Sequence, residues 1–189
     1  RSGPATTSDA PPTPSADPGF ADDVLACVES YFLSGKPGCY GALIRESGPA
    51  QVLLAIADLI SSDEIDSYVD THVVAHVVGR QTARASGING EAFLSCSTEF
   101  NYGCQHGFFE QALANSPSAV DAASDICADL VDTHPSKTVF YCYHGVGHGV
   151  MMASAYDLDV ALSTCDSFGD WMASDGCWQG VFMENVNAV

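Results

Sequence analysis

Apolar and polar positions follow two patterns along this chain, and both have a helical period. In the first, apolar residues recur at spacings of three and four between acidic and small polar residues. Examples are ADDVLACVESYF from Ala21, GPAQVLLAIADLI from Gly48, GEAFLSC from Gly90, SPSAVDAASDICADLV from Ser116 and DLDVALSTC from Asp157. That spacing gathers the apolar side chains on one helix face. Several of the segments also follow Ser, Asn, Asp, Gly or Pro, which favour helix entry, so they read as one-sided outer helices. The second pattern is poor in charge on every side: residues 138–156 contain no Asp, Glu, Lys or Arg. A helix apolar all round is buried in protein or membrane. This stretch holds His144, His148 and several glycines and shares its pattern with other segments, so an inner helix buried in protein is expected.

The inner segments align as copies of one unit. The clearest begin CQHGFFEQAL at Cys104, CYHGVGHGVM at Cys142 and CWQGVFMENV at Cys177, and two more start at Cys39 (CYGALIRE) and Asp70 (DTHVVAHVVG). A period of about 35 residues is typical of stacked helical hairpins. The expected fold is therefore all-α, a compact α/α helical-hairpin repeat that forms either a solenoid or a closed, toroid-like ring. It would occupy residues 19–189, behind a Pro/Ser/Thr/Ala-rich tether over residues 1–18.

The eight cysteines form four pairs close in sequence, Cys27 with Cys39, Cys96 with Cys104, Cys127 with Cys142 and Cys165 with Cys177. In each pair the first falls near the end of an outer helix and the second opens the next inner one, which suggests four disulfides clamping successive hairpins. Spacing alone cannot choose among all pairings of eight cysteines, but the repeat favours this one. In the copy without cysteine, Ile56 stands at one partner's position and Asp70 at the other's. Loss of both partners together is what a bridge predicts. Zinc thiolate sites ordinarily use cysteines two to four residues apart, and no such pair occurs. Disulfides at this density indicate an oxidising compartment, so the chain is expected to be exported, at the cell surface, in the periplasm or outside the cell. A leader or anchor ahead of the tether would suit that location.

Paired helices whose cysteines join the end of one hairpin to the start of the next make the chain from about Ala21 onward resemble the disulfide-bridged Sel1-like repeat proteins of bacteria. The resemblance is architectural and implies an exported α/α repeat fold. The CxHGxxxH and CxHGxxxE cores differ from the Sel1-like consensus, so it carries over no site residue.

Charge narrows the partners. Six basic residues against 24 acidic ones give a formal net charge of −18, which disfavours nucleic acid and anionic membranes. Most of the acid, such as Asp22, Asp23, Asp63, Glu64, Asp157 and Asp159, falls on predicted loops and outer helices, where a solvated surface accounts for it.

The remaining chemistry sits in the inner helices. Residues four apart share a helix face, and the copies carry His72 with His76, His106 with Glu110, and His144 with His148; of the six histidines only His134 lies outside this set. A single histidine on an apolar helix is ordinarily hydrogen-bonded core. Five histidines and a glutamate at equivalent positions are different, because burying them together without a cation is costly. The expected ligands are His72, His76, His106, Glu110, His144 and His148, with Glu110 as ligand, bridge or catalytic base. Gln179, Met183 and Glu184 are marginal contributors. Imidazole suits zinc, copper, iron and nickel. The aromatic and thioether residues nearby, among them Tyr102, Tyr141, Tyr143, Met151, Met152, Trp178 and Met183, tilt the expectation from zinc toward copper or iron, though all would serve equally as core. Gly107, Gly145 and Gly180 beside the clips would serve either close helix packing or room for a metal-bound substrate.

The sequence thus predicts one or two transition-metal ions in a mono- or dinuclear centre, open to a small-molecule substrate and engaged in redox or oxygen-activating chemistry. A metal carrier, a zinc-dependent hydrolase and an interaction scaffold remain as alternatives. No Ser-His-Asp order, phosphate loop, HExxH or CxxCH motif supports the commoner enzyme classes.

Overall fold

The computed structural model describes residues 18–66, 69–114 and 119–187; residues 1–17 of the expected tether lie outside them. The described residues are all helix and connections, with no strand. The helices are α1 (Pro18–Ser34), α2 (Gly38–Ser47), α3 (Pro49–Ser61), α4 (Thr71–Ser86), α5 (Gly90–Leu94), α6 (Gly103–Leu113), α7 (Ala119–Ala128), α8 (Ser136–Ala153), α9 (Leu158–Asp166) and α10 (Trp171–Asn187). Short polar residues start several of them. Asp70 accepts hydrogen bonds from the backbone N–H groups of His72 and Val73 at the start of α4, while Asn89 and Asp157 cap α5 and α9. Asp70, which replaces the missing cysteine, therefore secures its helix by capping.

The charge-poor helices pack in sequence order, α2 on α4, α4 on α6, α6 on α8 and α8 on α10. The one-sided helices lie beside them, with α3 against α1, α7 against α8 and α9 against α10. One apolar cluster joins α1 to α4 around Tyr40, Leu53 and Ile56. A second spans α5 to α10 around Phe93, Phe108, Phe109, Leu113 and Met151. No described helix is long and apolar enough to cross a membrane. The outer segment at Gly90 forms only the five-residue α5, because the chain must turn at once to bring Cys96 to Cys104. Helices α8 and α10 start at Ser136 and Trp171, upstream of Cys142 and Cys177, so those cysteines lie inside the inner helices instead of opening them.

All four expected disulfides are present, Cys27–Cys39, Cys96–Cys104, Cys127–Cys142 and Cys165–Cys177. Each ties an outer helix, or the turn that ends it, to the next inner helix. The α3–α4 pair lacks a bridge, and there Ile56 is fully buried in the core.

Glycines set how near the inner helices come. A Cβ on Gly79 of α4 would lie 1.9 Å from the Cys104 carbonyl oxygen of α6, and one on Gly107 of α6 would lie 2.0 Å from the His76 carbonyl oxygen of α4. Between α8 and α10, Gly147 would meet the Cys177 carbonyl at 2.1 Å and Gly180 the His144 carbonyl at 2.0 Å. Only a missing side chain permits this backbone contact, so of the two roles open to Gly107 and Gly180 the close packing is realised. Gly107→Ala must push α4 and α6 apart at the turn bearing His76, and it is expected to cost at least about 3 kcal/mol. Gly38→Ala, where a Cβ has no neighbour within 4 Å, should change stability by less than about 0.5 kcal/mol. Urea unfolding of both variants checks this, and equal losses would refute the close-approach role.

Candidate metal centre

Helices α4, α6 and α8 approach to backbone contact, and the five histidines meet where their facing sides converge. His76, His106, His144 and His148 are buried, and His72 is partly exposed. Ring centroids of His72 and His76 lie 5.6 and 5.3 Å from that of His106. Those of His144 and His148 lie 4.8 and 4.6 Å from it on the α8 side. His106 therefore adjoins both clips, which also approach each other directly, with the His76 and His148 centroids 5.5 Å apart. The potential ligand atoms of His72, His76 and His106 fall within 4.8 Å of one another, as do those of His106, His144 and His148, and those of Glu110, His148 and Glu184. These groups could hold a metal ion. His134 is apart from them, its Nδ1 2.9 Å from the Thr133 hydroxyl.

Hydrogen bonds determine which ring nitrogens are free. His72 Nδ1 donates to the Phe100 carbonyl oxygen at 2.8 Å, and a carbonyl can only accept. His76 Nδ1 donates to Glu110 Oε1, and His148 Nδ1 donates to Glu184 Oε2 at 2.9 Å. All three rings are left with Nε2 facing inward. The Nε2 atoms of His72 and His76 are 2.9 Å apart, and those of His144 and His148 are 3.3 Å apart. His106 has no partner on either ring nitrogen, and His144 has none on Nδ1.

Glu110 is 2% exposed and has both oxygens engaged, Oε1 by His76 and Oε2 by the Arg80 guanidinium. Burial opposes its ionisation, but the hydrogen bond and charge of His76, with those of Arg80, outweigh it and hold the pKa down at about 2. Burial, then the neighbouring His148, His72 and His76, pushes His144 down to about 3. Burial, then His148, His144, His76 and His72, holds His106 well below the usual imidazole range. The centre thus keeps an ionised carboxylate beside imidazoles that resist protonation.

Comparison with protein-family models, curated proteins and solved structures gives no match. The reading of the centre rests on its own geometry.

Two backbone segments that support the ring positions are conformationally costly. Phe100, Asn101 and Tyr102 have φ of 53°, 54° and 64°, and Ala155 and Tyr156 have φ of 53° and 64°. Such left-handed residues without glycine cost of order 1–3 kcal/mol each and recur at functional sites. The first segment aims the Phe100 carbonyl at His72. The second brings the Tyr156 hydroxyl to donate to Glu184 Oε1 at 3.1 Å, behind His148.

A cleft of about 380 Å³ opens onto the centre, lined by Asp70, His72, Val73, His76, Arg80, Glu110, Met183 and Glu184. Among the marginal residues, Met183 and Glu184 reach this cleft, whereas Gln179 is exposed and bonds Asp175 on its own helix. Met151, Tyr143 and Trp178 pack with the apolar cluster of α5 to α10. Tyr102 and Tyr141 stack 3.8 Å apart, with Tyr141 edge-on to His144 at 5.8 Å. Arg80, Phe100 and Tyr156 contact Glu110, His72 and Glu184 respectively, and the sequence did not single them out. Arg80 falls eight residues after His72 on the same helix face, a spacing that could have signalled it.

Arg80→Met leaves the buried Glu110 with His76 alone. Breaking a buried pair costs about 3–5 kcal/mol, and the 29% exposure of the Arg80 side chain lowers the expectation to about 2–3 kcal/mol. Adding Glu110→Gln should restore part of that loss. A double-mutant cycle by urea unfolding measures it, and strictly additive losses would rule out the coupling.

Proposed function

We propose that the protein is an exported transition-metal-binding protein whose inner helices hold one or two ions on His72, His76, His106, His144 and His148, in the service of redox or oxygen-activating chemistry. One observation carries this reading, the facing Nε2 atoms of His72 and His76. With Nδ1 of each ring held by an acceptor, the two Nε2 atoms face each other across 2.9 Å. A proton shared between them would relieve that pair, but His106 would still have two bare nitrogens in a buried ring. A metal ion takes up the facing Nε2 pair together with one nitrogen of His106. Nitrogens bound at about 2.0–2.1 Å in a tetrahedral set lie about 3.3 Å apart, close to the separations in both clips.

Glu110, one of the expected ligands, has both oxygens occupied, so in this reading it acts as the proton acceptor that orients His76 and raises its donor strength. Glu184 does the same for His148. Metal-bound histidines ordinarily have such partners. Ligand sets of three leave coordination positions open, as catalytic centres do, and the cleft offers them to a small molecule. The imidazole set and Met183 at the cleft favour copper or iron over zinc. The disulfides suit an oxidising, exported setting. The in-order packing of the inner helices supports a hairpin-repeat architecture, with the copies at each end free of ligands.

Elemental analysis of protein purified without an affinity tag should find copper or iron in stoichiometric amount, and His144→Ala and His148→Ala should each lower metal affinity at least about tenfold. The parent's spectrum should change with dioxygen or a reductant. A parent without stoichiometric metal would end the proposal, and bound zinc with no spectral response would redirect it toward hydrolysis or a structural ion.

A further inference from the structure

Resting on that metal-binding reading, we infer that the centre holds two ions, one in each clip, with His106 as the ligand they share, and that the two sites differ in access. Among the described residues no converging group contains a histidine from both clips; the two all-histidine groups meet only at His106. An ion must lie about 2.0–2.1 Å from each imidazole nitrogen it binds, so two groups sharing one corner define two ion positions. Each clip already has its Nε2 atoms 2.9 or 3.3 Å apart, a span suited to one ion.

His106 is the decisive residue. It is 1% exposed, its ring nitrogens both lack a partner, and it belongs to both groups. A neutral buried imidazole with neither its N–H nor its lone pair satisfied costs about 1–3 kcal/mol for each bare atom. Binding one ion would use one nitrogen and leave the other bare. Two ions use both, with the displaced ring proton released to solvent. His72, His76 and His148 each commit Nδ1 to a carbonyl or a carboxylate; His144 Nδ1 is also unpartnered, but His144 belongs to one group, so His106 is the ring able to ligate in both.

Access separates the sites. His72, the one partly exposed ring of the five, and His76 line the cleft, whereas His144 and His148 do not. The first ion faces incoming small molecules and exchanges with solvent; the second, on buried rings that do not line this cleft, exchanges more slowly. A small molecule in the cleft therefore meets the His72–His76 ion first.

The experiment loads metal-free protein with copper(II), removes excess by desalting and measures copper per chain, then follows release to a chelator. The parent should hold two ions that leave in two phases. The His72→Ala/His76→Ala double variant should hold one ion and lose the fast phase, and the His144→Ala/His148→Ala double variant should hold one and lose the slow phase. Magnetic coupling through His106 should depress the parent's paramagnetic signal below that of two isolated ions, and His106→Gln should abolish the coupling. The parent's stoichiometry and signal need no variant, so misfolding of a variant would leave the inference open to refutation. One ion in the parent, lost in either double variant, would mean a single ion spanning both clips and would overturn the inference while the metal-binding reading stands. Two uncoupled ions would overturn the shared ligand. No bound copper in the parent would overturn both readings.

Discussion

Backbone-to-backbone contact between the inner helices is the constraint on which the rest of the structure depends. Gly79 and Gly107 let α4 and α6 touch, and Gly147 and Gly180 do the same for α8 and α10, each through a carbonyl about 2 Å from where a Cβ would stand. Helices at ordinary separation would leave their histidines too far apart for the ring nitrogens to converge. At backbone contact, five imidazoles from three helices enter one small volume. Close packing and the convergence of the imidazoles are therefore one feature of the fold.

That proximity has an electrostatic consequence. Buried imidazoles this close cannot all be protonated, and burial with mutual repulsion holds His106 and His144 neutral. Neutral rings need an acceptor for one nitrogen and a donor or a cation for the other. The acceptors come from places the helices do not supply by themselves. A carbonyl in the left-handed turn before α6 holds His72, a carboxylate fixed by Arg80 holds His76, and a carboxylate fixed by Tyr156 holds His148. Strained backbone at residues 100–102 and 155–156 persists beside the centre, where the surrounding helices over-determine it. The disulfides add to that determination. Cys96–Cys104 closes the loop containing the left-handed turn, and Cys127–Cys142 and Cys165–Cys177 anchor the two helices that carry His148 and Glu184.

Much of this was legible in the chain itself, for local reasons. The helices follow from apolar spacing and from capping residues such as Asp70 and Asp157, which act within one turn. The disulfide pairing follows from the repeat and from the joint absence of cysteine at Ile56 and Asp70. The shared helix face of His72 with His76, and of His144 with His148, follows from the helical period alone. Sequence also marked Gly107 and Gly180 as special, because a small residue at a fixed position beside a potential ligand has only a few uses.

Tertiary structure decided what depends on how segments distant in sequence meet. It chose close packing over substrate space for Gly107 and Gly180, since only the partner helix shows what a Cβ would strike. It placed both oxygens of Glu110 on His76 and Arg80, turned Gln179 outward and brought Met183 to the cleft. It also set His106 against both clips with both ring nitrogens bare. The sequence determined which residues share a helix face, because that follows from the backbone period; the tertiary fold alone decided which nitrogen of each ring is free, because that depends on acceptors some 30 residues away.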